Sequence, residues 1–375
     1  MNLKVLIAPD KFKGTLTAKA AAEAIGRGWA QARRGDTLRL LPMSDGGDGF
    51  GDVIGSFVGG RIQTARTVDA AHRPCTAHWW WQAKSRTAII ESAAVIGLAR
   101  LPAGKFHPFE LDTFGLGALL KAAANKGAVH CLIGIGGSAT NDGGFGLARS
   151  LGWTFVDSRG NPIEHWNSLH HLVRIDAPRR RRHFRQVSVA VDVQNLLLGR
   201  RGATRVYGPQ KGLRPEDFKV AERCLRRLAT VVSEEFGVNF EKLPGSGAAG
   251  GLGFGLAAFL GARLENGFEL FATRAALRRQ LQWADLVVTG EGKLDHSTLM
   301  GKGVGEIARL CVRARVPCIG LAGIVALPAS QKRFARTHAL TQRTTAAQAT
   351  AQPVFWLRQA AKHAAEAWTR DEPRI

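Results

Sequence analysis

The sequence predicts an α/β fold of two domains, in which a doubly wound parallel sheet is interrupted by a second, inserted α/β domain. Short apolar, β-branched segments alternate with helix-patterned segments at both ends of the chain, and this alternation is typical of parallel sheets. The middle of the chain has strands and a long helix of its own, and 375 residues exceed what one hydrophobic core usually supports. We therefore expect an outer domain over residues 1–60 and 265–375, and an inserted domain over residues 61–264.

The outer domain is expected to alternate strands with helices. Each predicted strand is a short apolar run that ends at a polar or glycine-containing turn, and these runs are residues 3–10, 37–47, 284–292, 317–323 and 338–342. Each predicted helix has apolar residues at helical spacing, and these segments are residues 17–35, 50–60, 305–316 and 353–368. Residues 344–352 are expected to form an irregular loop.

The inserted domain has the same two kinds of segment. Its predicted strands are residues 75–82, 86–95, 128–136 and 186–193, and its longest predicted helix is residues 215–236. Residues 244–262 carry no charge, but their first half is mostly glycine and alanine and is too weakly apolar to enter a membrane. A turn followed by a buried helix is the better interpretation of that segment.

Polar and glycine residues follow the predicted strands of both domains. The turns are APDKFKG, PMSDGGDG, TGEGKLD and LAG in the outer domain, and IGGSATNDGG and DVQN in the inserted one. Because ligands bind at the carboxyl ends of strands in open parallel sheets, we expect the active site in the cleft between the domains. Where a helix begins at Asn141 and Asp142, main-chain N–H groups are expected to hold a carboxylate or a phosphate.

Basic residues outnumber acidic ones, and the net charge is +22. A nucleic-acid-binding protein is therefore one alternative, but the arginines are scattered, and the densest run, residues 177–185, is typical of a solvated loop. The cysteines form no CxxC pair and no leader segment is evident, which favours a cytoplasmic protein without a membrane or a specific nucleic acid as partner. A small anionic substrate would benefit from the same positive field.

Several common catalytic motifs are missing from the sequence or stand in the wrong context. No GxxxxGK[ST] loop and no GxSxG elbow occur. Residues 245–250, GSGAAG, match the dinucleotide pattern GxGxxG, so an NAD-dependent oxidoreductase is a second alternative, although no predicted strand precedes them. His165, His170 and His171 could hold a metal, but an exposed loop suits their sequence better.

The strand-end turns supply carboxylates, lysines and exposed main-chain N–H groups, which are the groups that phosphoryl transfer needs. The carboxylates are Asp10, Asp45, Asp48, Asp142, Asp192, Glu291 and Asp295, and the lysines are Lys11, Lys13, Lys211, Lys293 and Lys302. Taken singly, Asp10, Asp45 and Asp142 could equally be helix caps or turn formers. Their occurrence together with DGGDG, NDGG and GEG favours phosphoryl transfer with Mg²⁺.

Six segments of the sequence together resemble the bacterial glycerate kinase family. They are IAPDKFKGTLTA, MSDGGDG, IGIGGSATNDGGFG, GPQKG, GSGAAGGLGFGL and TGEGKLDHST, in this order between Leu3 and about Gly323. The resemblance implies a flavodoxin-like domain interrupted by a second α/β domain. It also implies an enzyme that uses ATP and Mg²⁺ to phosphorylate D-glycerate, in many members at the 2-hydroxyl, with 3-phosphoglycerate as the other product. A homodimer and a member that has lost its activity are left open.

The resemblance also implies which residues line the cleft. They are Asp10, Lys11, Lys13, Asp45, Gly46, Gly47, Asp48, Gly136, Gly137, Ser138, Asn141, Asp142, Asp192, Lys211, Gly290, Glu291 and Asp295. The expected catalytic residues are Lys13, Asp45, Asp192 and Asp295, of which the three aspartates are candidate Mg²⁺ ligands and Asp192 is the expected acceptor of the hydroxyl proton. Lys11 or Lys13 would offset the charge of the substrate or of the transferred phosphoryl group. Relative to the family pattern, Thr113 replaces a serine, Leu116 a threonine and Ile324 a serine.

Overall fold

The computed structural model describes residues 2–299, 303–327 and 333–368. In these ranges the strands are β1 (Lys4–Ile7), β2 (Thr37–Leu40), β3 (Arg61–Val68), β4 (Pro74–Gln82), β5 (Thr87–Glu91), β6 (His130–Gly134), β7 (Thr154–Asp157), β8 (Leu172–Asp176), β9 (Gln186–Val191), β10 (Arg263–Asn266), β11 (Leu286–Leu294), β12 (Cys318–Val325) and β13 (Arg336–Ala339). The helices are α1 (Ala18–Ala32), α2 (Phe50–Phe57), α3 (Ala93–Ile96), α4 (Leu116–Asn125), α5 (Phe145–Ser150), α6 (Ala203–Lys211), α7 (Phe218–Phe236), α8 (Ala248–Leu260), α9 (Gly267–Arg274), α10 (Leu277–Trp283), α11 (His296–Leu299), α12 (Gly303–Ala314), α13 (Ala346–Ala351) and α14 (Pro353–Ala367).

The chain divides into two compact units. The first comprises Met1–Asp45 and Phe268–Ile375, and the second comprises Gly46–Gly267. Helix α2 therefore lies in the second unit, whereas the sequence placed its residues in the outer domain. The physical reason is its packing, since the glycines at 51 and 55 face the indole of Trp80 on β4 and leave no room there for a Cβ.

The first unit contains a parallel sheet with the strand order β13-β12-β11-β1-β2. When the strands of this unit are numbered alone, the order is 2-1-3-4-5, which is the flavodoxin-like form of the doubly wound sheet. The mixed α/β class with parallel sheets is therefore confirmed. The core of this unit is formed by apolar residues of β1, β11 and β12 together with those of α1 and α14.

Helix α1 shows how the sequence determines its own packing. The Thr17 hydroxyl accepts a hydrogen bond from Ala20 N and caps the start of the helix. Ala21, Ile25 and Trp29 follow at a spacing of four residues and are buried on one face. A Cβ at Gly28 would collide with the carbonyl oxygen of Arg358, so glycine at this position allows α14 to pack closely on α1.

The second unit contains a six-stranded sheet with the order β10-β9-β6-β5-β4-β3. Strands β10, β9, β6 and β5 are parallel, while β4 and β3 form an antiparallel edge. Strand β3 was not predicted, because its sequence RIQTARTV is polar and its residues lie at the exposed edge of the sheet. The short pair β7 and β8 and the edge strand β10 were missed as well.

Two further segments, residues 344–352 and 244–262, have structures that differ in part from those predicted. The expectation of an irregular loop at residues 344–352 is wrong, because Thr345 accepts a hydrogen bond from Gln348 N and caps helix α13. The interpretation of residues 244–262 as a turn and a buried helix agrees with α8, although φ is positive at Ala249, Gly250 and Gly251 inside it. Throughout the described ranges, no helix is both long enough and apolar enough to cross a membrane.

Candidate active site

In the first unit, a group of carboxylates comprises Asp10 after β1, Asp45 after β2 and Glu291 within β11. Asp10 is anchored there because its main-chain N–H donates to the carbonyl of Gly290 at 2.8 Å. Burial raises the pKa of Asp10 to about 8, and the negative charges of Asp45 and Glu291 raise it further, while Lys11 opposes the shift. The predicted residues Asp10, Lys11, Asp45 and Glu291 are therefore close enough to interact electrostatically.

Glu291 and Asp295 are linked through the turn that follows β11. The Thr298 hydroxyl donates to Glu291 Oε1 at 2.7 Å and accepts from Asp295 N at 3.1 Å. Asp295 accepts hydrogen bonds from the main-chain N–H and the hydroxyl of Ser297, and its second oxygen lies 3.2 Å from Lys293 Nζ. The Ser297 hydrogen bond and Lys293 lower the pKa of Asp295 to about 2, so this carboxylate is ionised at neutral pH.

The remaining predicted residues of the first unit differ in exposure. Lys13 is exposed on the turn that a bridge between Phe12 and Leu16 closes. Gly290 is buried in β11, and a Cβ there would collide with the carbonyl of Leu321 on β12. Lys302 lies outside the described residues.

In the second unit, two glycine-rich turns pack main chain against main chain. Gly136 N donates to Gly46 O at 3.0 Å, and a Cβ at Gly136 would lie 2.6 Å from the Cα of Gly47. Gly46 has a φ of +106°, and a Cβ there would lie 2.8 Å from Ala190 O at the end of β9. These glycines are therefore required by the neighbouring chain, whatever else binds near them.

The Asp48 carboxylate occupies the space beside Gly137. This glycine has a φ of +75°, and a Cβ on it would collide with Asp48 Oδ1. Any larger residue at position 137 would be strained by its own backbone and would also displace the carboxylate. The structure therefore brings Asp48 onto the turn that the sequence singled out.

Asp142 occupies the start of helix α5. Its carboxylate accepts from Gly144 N at 3.2 Å, from Gly146 N at 2.9 Å, and from both the main-chain N–H and the hydroxyl of Thr113 at 2.9 and 2.7 Å. Burial and the charge of Asp112 raise the pKa of Asp142 to about 6, although these hydrogen bonds favour the ionised form. The expectation that N–H groups at this helix start hold a ligand anion is therefore wrong, because the chain's own carboxylate takes them.

Lys211 lies at the end of α6 and is buried against the same turn. Its Nζ donates to the carbonyl of Thr140 at 2.6 Å. Burial lowers the pKa of Lys211 to about 7, and the charge of Asp142 opposes that shift. The Asn141 amide donates to the Thr204 hydroxyl at 3.1 Å, and its buried Oδ1 has no hydrogen-bond partner within the described part of the chain.

The GSGAAG segment packs on this turn as well. Ser138 Oγ lies 3.0 Å from Thr140 Oγ1 and 3.4 Å from the carbonyl of Ala249. A Cβ at Gly250 would collide with Thr140 O, so a glycine is required there. A 3₁₀ turn, Phe240–Lys242, precedes the segment instead of a strand, so it lacks the strand–turn–helix context of a dinucleotide site.

Asp192 is exposed directly after β9, and Tyr207 of α6 lies near it. The Tyr207 hydroxyl donates to Asn195 Oδ1 at 2.7 Å, and Asn195 Nδ2 donates to Arg201 O. Burial raises the pKa of Tyr207 to about 12, and the charge of Asp192 contributes. Tyr207 was not predicted as a site residue, although it is the only tyrosine of the chain and precedes the GPQKG segment.

Glu91 is a second residue that the sequence analysis missed. It ends β5, and its two carboxylate oxygens accept from Gly49 N and Gly51 N, each at 3.0 Å. Burial raises the pKa of Glu91, and the two N–H groups oppose that shift. Because Glu91 holds the start of α2, it fixes the glycine turn that contains Gly46 and Asp48. The rule that selected the other carboxylates, an acidic residue at a strand end, would have found it.

The profile of the glycerate kinase family matches residues 5–369. The chain belongs to the glycerate kinase family. It is 39% identical over 326 residues to the glycerate kinase of Bacillus subtilis (strain 168), covering 86% of this chain and 85% of that protein. It is 36% identical over 324 residues to the glycerate 2-kinase of Escherichia coli (strain K12), with coverage of 86% and 85%.

A solved structure from Salmonella typhimurium LT2, assigned as glycerate kinase 2, superposes with a TM-score of 0.82 at 34% identity. The match covers 97% of this chain and 98% of that one. Membership of the glycerate kinase family makes the chain a phosphotransferase that acts on a small molecule. The resemblance inferred from the six segments is thereby confirmed.

The structure places the three departures from the family pattern. The Thr113 hydroxyl is buried and donates to Asp142. Leu116 is buried in the core of the second unit at the start of α4. Ile324 is exposed on β12. Thr113 thus keeps the hydroxyl that a serine would provide, and Leu116 packs against apolar neighbours.

Proposed function

We propose that this glycerate kinase uses ATP and Mg²⁺ and transfers the γ-phosphoryl group to the 2-hydroxyl of D-glycerate, giving 2-phosphoglycerate. Family membership supports the acceptor, and the name of the E. coli relative supports the 2-hydroxyl. The observation that carries the need for a cation is the carboxylate group around Asp10. Three acidic side chains interact there, and burial together with the charges of Asp45 and Glu291 raises the pKa of Asp10.

The donor set of the first unit fits a divalent cation. Oxygen ligands suit Mg²⁺, which in phosphoryl-transfer sites takes one or two carboxylates and completes its shell with phosphate and water oxygens. Among the described residues, no three His, Cys, Asp or Glu side chains form a metal site by themselves, so a smaller set is expected. Asp45, next to Asp10 and Glu291, is the proposed ligand, and Asp192 and Asp295 remain the other candidates.

When bound, Mg²⁺ would offset the negative charge of the nucleotide phosphates. The chain's own residues supply the rest. We assign the neutralisation of the substrate carboxylate or of the transferred phosphoryl group to Lys11 or Lys13, since both residues follow β1 and Lys11 interacts electrostatically with Asp10. The proton of the attacking hydroxyl passes to Asp192, an exposed carboxylate at the end of β9.

Asp142 and Lys211 serve this reaction as positioning residues in our proposal. Both are buried, and their polar atoms bind Thr113, Thr140 and main-chain N–H groups of the glycine turn. Such residues fix the turn but are covered by it, so they affect catalysis through the turn's shape. Asp48 and Asp192 are exposed instead, and we assign contact with ligands to them.

Phosphorus NMR of a reaction with MgATP and D-glycerate tests the proposal. A product resonance identical to that of authentic 2-phosphoglycerate supports it, whereas 3-phosphoglycerate contradicts the regiochemistry and consumption of neither substrate contradicts the activity. Omission of Mg²⁺ should abolish turnover. Reduction of NAD⁺ by glycerate would instead support an oxidoreductase.

The assignment of Asp192 has its own test. Asp192→Asn should lower kcat by about 100-fold or more with little change in KM, because general-base catalysis typically contributes about 10² to 10⁴. Asp176→Asn, at another exposed position of the second unit, on β8, is the control and should leave kcat unchanged. Full activity of the Asp192→Asn enzyme would exclude this residue as the base.

A further inference from the structure

A basic surface cavity lies on the second unit between α6 and α7. It has a volume of about 630 Å³ and is open to solvent rather than enclosed. Its lining residues are Arg205, Pro215, Phe218, Lys219, Glu222, Arg223 and Arg226. None of them belongs to the candidate active site described above.

The positive charge of this cavity is not balanced by the protein. Four lining residues are basic and one is acidic, so the cavity carries a net charge of +3. Lys219, Arg223 and Arg226 lie at a spacing of four and three residues on α7, where like charges are neighbours and repel each other. Such an arrangement costs stability unless an anion offsets the repulsion.

The basic side chains also keep their hydrogen-bond donors available. Across the described ranges, none of Arg205, Lys219, Arg223 and Arg226 donates a side-chain hydrogen bond to another protein group. The nearest carboxylate, Glu222, lies 3.9 Å from Arg205 and 4.0 Å from Arg226, which is beyond hydrogen-bond distance. Arg205 and Arg226 thus form long ion pairs with Glu222 but keep their hydrogen-bond donors for a ligand that matches the geometry of a guanidinium group.

Glu222 itself is buried and incompletely paired. Its residue is 8% exposed, and its Oε1 has no hydrogen-bond partner among the described atoms. A buried carboxylate with an unsatisfied oxygen is costly, so it needs a local reason to be there. The positive field of Arg205 on α6 and Arg226 on α7 is such a reason, because it stabilises the charge of Glu222 without consuming the hydrogen-bond donors of the two arginines.

We propose that this cavity binds a small phosphate-bearing anion with three or more negative charges, at a site separate from the candidate active site. Phosphate oxygens accept pairs of hydrogen bonds from arginine, and three charges match the local excess. Inorganic pyrophosphate and a phosphorylated carboxylic acid share this chemistry. The inference does not rest on the acceptor or the nucleotide proposed for the kinase.

Isothermal titration of the protein with pyrophosphate, and separately with phosphoglycolate, at about 0.15 M salt tests the site. Arg205→Gln/Arg223→Gln should weaken the binding of at least one of these ligands at least tenfold. Arg278→Gln/Arg279→Gln removes the same charge from two exposed positions on α10 and should leave the isotherms unchanged. Equal isotherms for the two double variants, or no binding at millimolar ligand, would overturn the proposal.

Glu222→Gln provides a test of opposite sign. It keeps the shape of the side chain and removes the one negative charge of the cavity, so binding should become tighter by about threefold or more. A variant that merely disturbed the fold would not bind more tightly, so weaker or unchanged binding contradicts the model of an anion site. Citrate, a trianion without phosphate, should bind at least tenfold more weakly than the better phosphate ligand, and equal affinity would refute phosphate recognition.

Discussion

The hydroxyl of Thr113 is the most informative single group to remove from the second unit. It donates to Asp142 Oδ2 at 2.7 Å and accepts from Leu147 N at 2.9 Å, and all three residues are buried. Thr113→Val keeps the shape of the side chain but loses both hydrogen bonds. Asp142 then has one donor fewer, and the N–H of Leu147 in α5 is left without its acceptor.

The expected cost follows from these two losses. A hydrogen bond to a charged group contributes about 1.5–3 kcal/mol, and a buried unpaired N–H costs about 1–3 kcal/mol. Because the two effects share one group and the turn relaxes in part, we expect a loss of about 3 kcal/mol in the free energy of unfolding. For a unit of this size the loss corresponds to a Tm lower by about 6–12 °C.

Thr113→Ser is the matched control, because it keeps the hydroxyl and removes only a methyl group, at a cost of about 1 kcal/mol. Urea unfolding should be followed together with hydrogen exchange at the Leu147 amide, since two units need not unfold in one transition. The valine variant should show faster exchange at Leu147 than the serine variant. If the two variants unfold within about 0.5 kcal/mol of each other, the hydroxyl does not have the role inferred here.

Three further substitutions test other contacts. Glu91→Gln should destabilise the second unit by about 1–2 kcal/mol in urea unfolding, because the amide nitrogen faces a main-chain N–H that the carboxylate accepted; an unchanged midpoint would contradict this cap. The free energy of unfolding of the wild-type protein, minus that of Lys211→Met, should rise between about pH 7 and pH 9. The reason is that the pKa of Lys211 is about 7 in the folded protein and 10.5 ordinarily, so only the unfolded chain binds the proton in this range. A difference that falls with pH would contradict the lowered pKa. Gly137→Ala should lower both Tm and kcat more than Gly160→Ala does, since both glycines have positive φ but only Gly137 faces Asp48. Equal effects of the two substitutions would mean that backbone strain alone explains them and that the contact with Asp48 has no role.

Much of the fold follows from local patterns. The strands β1, β6, β9 and β11 are short apolar runs with a turn after each, and α1 and α14 are amphipathic, so their positions are readable from the sequence. Strand β3 is not readable in this way, because its pairing with β4 is determined by the neighbouring strand and not by its own composition. The boundary near residue 60 was misplaced for a similar reason, since α2 packs on Trp80 through contacts that no local pattern contains.

The sequence was sufficient to predict which residues belong to the candidate site, but not what each of them does there. Strand-end aspartates and glycines identified Asp10, Asp45 and the turn at 136–142. Spacing alone could not show that Asp142 caps α5 from within, or that burial raises the pKa of Asp10 to about 8. Both depend on which groups fold around the carboxylate, and that is information about tertiary structure.

The first unit is formed by two segments that lie far apart in the sequence, and this separation affects the order in which the chain folds during synthesis. Lys4 N donates to the Asp285 carboxylate across 281 positions of sequence, and β1 pairs with β11. The amino-terminal strands β1 and β2 pair with each other, but the other neighbour of β1 is absent until residues 286–294 have been synthesised. Residues 46–267 are contiguous and include a complete sheet and core, so they are able to fold first. Until then, apolar residues of β1, β2 and α1 that pack on later elements are exposed to solvent. Truncation before α14 would leave the face of α1 that α14 covers exposed.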